Sequence, residues 1–266
     1  QLLAQAMDAG YVTGADNAHL QPSSLDLTLS DLCFEVRGSS LPAPNESVEV
    51  LARRHAVKQH DLAEPLQPGT VYLVRLAEAL ALPPDLHARA SNKSSSVRIN
   101  LRGRLLADGL ASFDEVPPGY RGQLWIELIP MSFPVRVHPG ARINQLRLFA
   151  GNAELSRLEH RLAFDRFRLL RTLAGEPVSA EQAGLGRGLS MTVDLSNQNI
   201  VGWRAKANAG QVLDIRAFDH RVEDFFEPVA RTADRSCVIR PGAFYIFATK
   251  EKILIPPDYA AEMIAY

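Results

Sequence analysis

Short runs in which apolar and polar residues alternate, or in which several apolar residues stand together, recur along the whole chain. "SLDLTL", "TVYLVRL", "QLWIEL", "FPVRV", "RINQLRLF", "AFYIFAT" and "KILIPP" are the clearest. Side chains of a strand alternate between two faces, so each run can turn one face to a core. Turn residues bound most of them, as in "QPGT", "PPGYRG" and "HPGAR". Short strands separated by Pro-Gly turns predict a mainly β protein of the sandwich or barrel type. Helical spacing is rare. It is confined to the amphipathic "QLLAQAMDAGYV" at the N-terminus, ending at Gly10, and to a helix within "AELSRLEHRLAFDRFRLLRTL".

The pattern also repeats. "PGTVYLVRLAEALALPPDLHARA" (68–90) aligns without a gap to "PGAFYIFATKEKILIPPDYAAEM" (241–263), with 8 of 23 positions identical. Upstream, "SSLDLTL" (23–29) echoes "MTVDLSN" (191–197) at nearly the same offset. Self-similarity of this kind predicts two copies of one β unit. The first spans residues 1–173, a linker 174–188, and the second copy 189–266. The linker, "AGEPVSAEQAGLGRG", is rich in Gly, Ala and small polar residues. Its glycines at 184, 186 and 188 do not fit the dinucleotide fingerprint, because no strand precedes them. The first copy runs on past "LPPD" to "RLFAG", whereas the second stops at Tyr266, so the second copy is expected to be truncated.

Composition narrows the function classes. A chain of 266 residues, 46% of them hydrophobic, suffices for one large or two ordinary domains. No apolar run approaches the roughly 18 residues of a membrane span, and the N-terminus lacks the basic start of a signal peptide. A net charge of −1 argues against a broad nucleic-acid surface but permits a small cationic phosphate site. Cys33 and Cys237 stand alone, which predicts reduced thiols in a cytoplasmic protein.

Candidate chemistry lies in two places. No metal-ligand spacing, Walker loop or nucleophile elbow is present, so no protein-bound metal and no Ser-His-Asp triad is expected. In "SNKSSSVR" (91–98), Lys93, Ser94, Ser95, Ser96 and Arg98 gather hydroxyls, amides and two cations, as an anion would need. The residues alone also fit a solvated Ser-rich turn. In "QLWIEL", Glu127 shares a strand face with Trp125. Such an acid is either a paired structural charge or a desolvated acid–base group. Asp108 and Asp114 are loop acids able to orient water or sugar, and His138, before a Pro-Gly turn, reads as structural.

Four motifs in order, "QPSSLDLTL", "KSSSVR", "PPGYRGQLWIEL" and "HPGARINQL", resemble the dCTP deaminase family within the dUTPase-like superfamily. The likeness covers about residues 1–150, and the repeat resembles the long bacterial form with two fused deaminase-like units. It implies two tandem dUTPase-like distorted β-barrel or jelly-roll (β-clip) units with a few short helices. It implies that Ser94, Ser95 and Arg98, with Lys93 and Ser96 beside them, bind a triphosphate, and that Glu127 is the general base. Tyr120, Trp125, Ile126, Asp108 and Gln145 become the base and sugar contacts. The implied reaction converts dCTP to dUTP and ammonia without zinc, with Mg²⁺ carried on the triphosphate. The implied partners are dCTP, dTTP as a feedback inhibitor, and further copies of the chain in a trimer or pseudo-hexamer with sites between units. The rival activity, dUTP pyrophosphatase, needs an aspartate three residues before the turn tyrosine, where Pro117 stands. A bifunctional enzyme and a silent nucleotide-binding protein are the remaining alternatives. The phosphate-gripping tail of single-unit family members is not found after residue 150.

Overall fold

The structure, a computed structural model, describes residues 2–185, 188–196, 198–207 and 209–263. Gly186 of the predicted linker and Asn197 of the second echo lie outside them. Helix α1 (Leu2–Asp8) leads into a short strand, β1 (Val12–Thr13). Strand β2 (Leu25–Val36) is followed by α2 (Val48–His55), β3 (Ala56–Gln59), β4 (Val71–Ala81) and β5 (Leu86–Asn92). Next come α3 (Ser94–Arg98), β6 (Leu101–Ala107), β7 (Glu115–Val116), β8 (Arg121–Pro130), β9 (Val135–Arg136) and β10 (Arg142–Ala150). The rest comprises α4 (Arg157–Phe167), β11 (Leu170–Thr172), β12 (Ile200–Ala205), β13 (Leu213–Asp214), α5 (Val222–Phe225), β14 (Phe226–Ala230), β15 (Tyr245–Phe247) and β16 (Glu251–Ile253). The protein is mainly β, as the alternation predicts.

Contacts group the chain differently from a simple division at 174–188. One unit comprises Gln1–Asn152 together with Ala205–Phe226, and the other Ala153–Arg204 together with Glu227–Tyr266. The physical reason is local. In the first unit β13 pairs with β9 in parallel, the carboxyl of Asp214 meets His138 Nε2 at 2.8 Å, and Phe225 packs on Phe133 at 5.0 Å between ring centroids. His138, expected to be structural, is thereby engaged with a carboxyl of the segment 205–226.

In the first unit one sheet runs in the order β6-β8-β4-β2-β10-β5-β7, with β1 on β4 and β3 on β2. It curls until β5 and β6 approach each other. A Cβ at Gly103 of β6 would lie 2.6 Å from Asn92 Oδ1 of β5, which shows how closely the two strands approach. Leu124, Ile126 and Leu128 of β8 are fully buried on one face. On the other face Trp125 packs with Phe34, Val36, Leu73 and Leu106 under Val48, Leu51 and Ala52 of α2. Helix α2 was not foreseen. It is only eight residues long, and its start is set by Ser47, whose hydroxyl accepts from Val50 N.

Between Arg75 and Ala79, strand β4 bulges against β8, and Gln123 Nε2 donates to the carbonyls of Leu76 and Glu78 across it. The carboxylate of Glu78, fully buried, accepts the Thr28 amide on both oxygens at 3.1 and 3.0 Å. In the second unit the aligned Glu251 accepts the Thr192 amide at 2.8 Å, also from the segment that echoes β2. Burial raises the Glu78 carboxyl above its usual value, against the pull of the Thr28 amide and hydroxyl. A carboxyl raised in the folded state contributes stability below its ordinary value of 4.5 and loses it as the pH climbs through the folded one. Wild type is therefore expected to lose stability relative to Glu78→Gln as pH rises from about 4.5. Denaturant midpoints of both proteins across that range check this, and parallel curves would refute it.

The second unit carries a three-stranded sheet, β14-β12-β15, and a two-stranded pair, β11-β16. Helix α4, foreseen from periodicity, begins with a reciprocal capping box between Ser156 and Glu159 and ends at Arg168 in the left-handed conformation, φ 54°.

Candidate active site

Ladder register builds the first half of the site. In the sheet, Glu127 of β8 lies opposite Leu73 of β4 on one side and Arg104 of β6 on the other. The acid therefore has one apolar and one cationic cross-strand neighbour. Its side chain is 1% exposed and that of Arg104 is 28% exposed. Arg104 Nε and Nη2 both donate to Glu127 Oε1, at 3.0 and 2.6 Å. Oε2 is buried with no hydrogen-bond partner among the described residues. An unmet buried acceptor costs about 1–3 kcal/mol, so this oxygen is poised to accept a donor. Arg104 is itself held: Nη2 donates to Ser39 Oγ at 2.7 Å, and its guanidinium lies 3.7 Å from the centroid of Phe113. Arg104, Ser39 and Phe113 escaped the sequence reading. In "LRGRLLA" Arg104 reads as an outward polar position, and only the pairing register puts it beside an acid.

The second half of the site is the start of α3. Ser94, Ser95 and Arg98 are exposed, as a ligand site requires, whereas Ser96 is buried and donates to the Ile143 carbonyl at 2.9 Å. Ser96 therefore anchors the turn to β10. Lys93, at the cap of this short helix, is ion-paired to Asp26 of β2, whose side chain is almost wholly buried. Gln145 of β10 bridges Ser24 and Ser91 at 3.1 and 3.2 Å, tying the residue before β2 to β5. Leu101 pairs with Pro130 and Arg104 with Glu127. The acid thus stands three residues along the ladder from the start of the strand that α3 feeds, on the order of 10 Å.

The remaining predicted contacts sit in the framework. The indole of Trp125 is buried under α2 and stacks on Phe34 at 6.4 Å. Ile126 points to the opposite, interior face. Both are placed by packing in the single chain, not in an open cleft. Tyr120 accepts from the Asp108 amide and donates to the Gln123 carbonyl, and burial raises its phenol well above the usual range. Asp108 Oδ1 accepts from Val48 N at 2.7 Å, fixing the start of α2, and Asp114 Oδ1 accepts from Leu105 N at 2.7 Å. Two cavities lie away from these residues. One of about 250 Å³ is lined by Leu3, Leu20, Pro22 and Leu148. Another, of about 400 Å³ in the second unit, is lined by Arg204, Thr232, Arg240 and Tyr245.

The first unit is thus a β sheet in which the buried carboxylate of Glu127 lies on the ladder that the hydroxyl-rich turn of α3 feeds. Residues 1–152 match the family model described as 2'-deoxycytidine 5'-triphosphate deaminase (DCD) N-terminal domain, and residues 168–266 match the model of its C-terminal domain. The chain belongs to the dCTP deaminase family. A "dCTP deaminase, dUMP-forming" of Streptomyces coelicolor is 32% identical over 136 residues, covering 50% of this chain and 68% of that protein. Its namesake from Streptomyces griseus is 32% identical over 147 residues, covering 54% and 74%. The crystal structure of 2'-deoxycytidine 5'-triphosphate deaminase from Agrobacterium tumefaciens superposes with a TM-score of 0.86 at 31% identity, covering 96% of this chain and 74% of that one.

Proposed function

We propose that this enzyme hydrolyses the exocyclic amine of dCTP, giving dUTP and ammonia. The observation that carries the reading is Glu127, the lone acid of β8, buried with one oxygen anchored and the other unmet. In the reaction Glu127 takes a proton from water, and the hydroxide bonds to cytosine C4. The C4–N4 bond then breaks as the proton passes to the departing nitrogen, which leaves as ammonia. No zinc takes part in this reading.

The exposed Ser94, Ser95 and Arg98 would grip the triphosphate by charge-assisted hydrogen bonds. Mg²⁺ would come with the substrate and offset the charge of the triphosphate that Ser94, Ser95 and Arg98 would hold. Among the described residues, His, Cys, Asp and Glu form no group of three suited to an ion. Lys93 supports the grip through its pair with Asp26. Trp125, Ile126, Tyr120, Asp108 and Gln145 belong to the base and sugar side, chiefly by fixing the backbone that faces the ligand. Further copies of the chain, as a trimer or pseudo-hexamer, complete the site, dTTP acts as a feedback inhibitor, and the enzyme works in the cytoplasm.

A second reading carries the reaction on to dUMP, and the dUMP-forming relatives from Streptomyces favour it. Pro117 weighs against it, since it has no carboxylate to activate water for attack on a phosphate. One assay separates the readings. The purified chain is mixed with dCTP and Mg²⁺, and cytosine absorbance, ammonia and pyrophosphate are followed together. Equal loss of dCTP and gain of ammonia without pyrophosphate is the expected result. Stoichiometric pyrophosphate would establish the dUMP route, and stable dCTP at high enzyme would defeat both.

A further inference from the structure

The anchoring of Glu127 is lopsided, and the lopsidedness has a source. Two N–H groups of Arg104 converge on Oε1, and none reaches Oε2. The convergence is built into the fold, because Arg104 and Glu127 are direct cross-strand partners on adjacent strands. The guanidinium is fixed on its other sides by the Ser39 hydroxyl and by the ring of Phe113. A planar cation held by three partners on three different segments is a fixed part of the site, unlike a side chain that swings with ligand. Resting on the deaminase reading above, we propose that Arg104 is the positioning residue of the reaction: it saturates Oε1, fixes the carboxylate plane, and leaves Oε2 as the oxygen that takes the proton from water.

The division of labour has a chemical logic. A carboxylate free to rotate offers either oxygen to water, and the productive geometry is then one of several. Two charge-assisted bonds on one oxygen remove that freedom. Phe113 belongs to the loop between β6 and β7, so the same loop that would read the base also holds the cation that aims the acid. Ser39 brings in the loop after β2.

The test compares the full chain with Arg104→Gln, Arg104→Ala and Arg104→Lys on dCTP. Arg104→Gln is expected to lower kcat by about 10²-fold, the usual consequence of a misplaced catalytic group, with KM little changed. Guanidinium ion at millimolar concentration should restore part of the rate of Arg104→Ala in a saturable way, and urea should not. Arg104→Lys should recover part of the rate without additive. A purely structural arginine would lower the melting temperature and the active fraction with no selective rescue. Phe113→Leu, which leaves the ion pair in place and removes only the stacking partner, covers the case in which an Arg104 variant does not fold. A smaller fall in kcat at constant KM is expected there. Folded Arg104→Gln with wild-type kcat, or guanidinium without effect on Arg104→Ala, or wild-type kcat in Phe113→Leu, would overturn the proposal while leaving the deaminase reading intact. A wild-type chain inert toward dCTP would remove both.

Discussion

Glu127→Gln is expected to lose dCTP deamination by about 10²–10⁴-fold in kcat, the span that a positioned acid–base group contributes, while remaining folded. The amide keeps the shape of the side chain and one carbonyl oxygen, so it can still accept from Arg104. What it lacks is an atom that takes a proton at neutral pH. The fold should tolerate the change, because Arg104 is 28% exposed and can share its lost charge partner with water and with Ser39. Nucleotide binding should also survive, since Ser94, Ser95 and Arg98 lie on a different segment. Three measurements on one preparation decide the matter: kcat by ammonia release, melting temperature, and the thermal shift produced by dCTP. Loss of rate with melting and shift retained is the expected pattern. A variant that turns over dCTP at the wild-type rate would end the assignment of Glu127 as general base.

How far the sequence reaches is seen by comparing Glu127 with Arg104. Both lie on strands that alternation identifies, but Glu127 stands two residues from Trp125 in a run whose two faces can be read off directly. Arg104 acquires its role only from pairing with a strand about twenty residues away, and hydrophobic period fixes the faces of a strand without its partner or register. The Pro-Gly turns and the Ser-rich stretch were legible for a simpler reason: their geometry or chemistry is local. Ser96 shows the limit of that locality. It belongs to the hydroxyl cluster by sequence, yet its Oγ is turned inward to the Ile143 carbonyl, because β10 runs beside the start of α3.

The segment Ala205–Phe226 illustrates the same limit at domain scale. Nothing in its local pattern distinguishes it from its neighbours, so it reads as part of the second copy. It groups with the first unit through β9, Phe133, Arg136 and His138, all of which are long-range partners. Conversely, the aligned glutamates Glu78 and Glu251 were visible as a repeat before either had a role. Glu78 receives a backbone amide from β2 and Glu251 one from the segment that echoes β2, which ties a repeated residue to a repeated task.

Trp125→Ala carries the largest expected change in stability, a loss of about 3–5 kcal/mol. The indole is 1% exposed, among the largest fully buried side chains, and it fills the space between the sheet and α2. Helix α2 has eight residues, too few to persist without that packing. Removing the ring opens a cavity against Phe34, Leu73, Leu106, Val48 and Leu51, and a strand-bound backbone cannot collapse to refill it. The unfolding midpoint should fall by roughly 10 °C for a unit of this size. Circular dichroism melts measure it, and the chain has only one other tryptophan, Trp203, so the variant's residual fluorescence follows the second unit's β12 separately. A residue that instead touched the nucleobase would behave differently: Trp125→Ala would raise KM and leave the midpoint in place. Trp125→Phe sharpens the contrast, because it retains an aromatic face for a base while still underfilling the core. An unchanged midpoint in both variants would mean that α2 does not close over this face of the sheet.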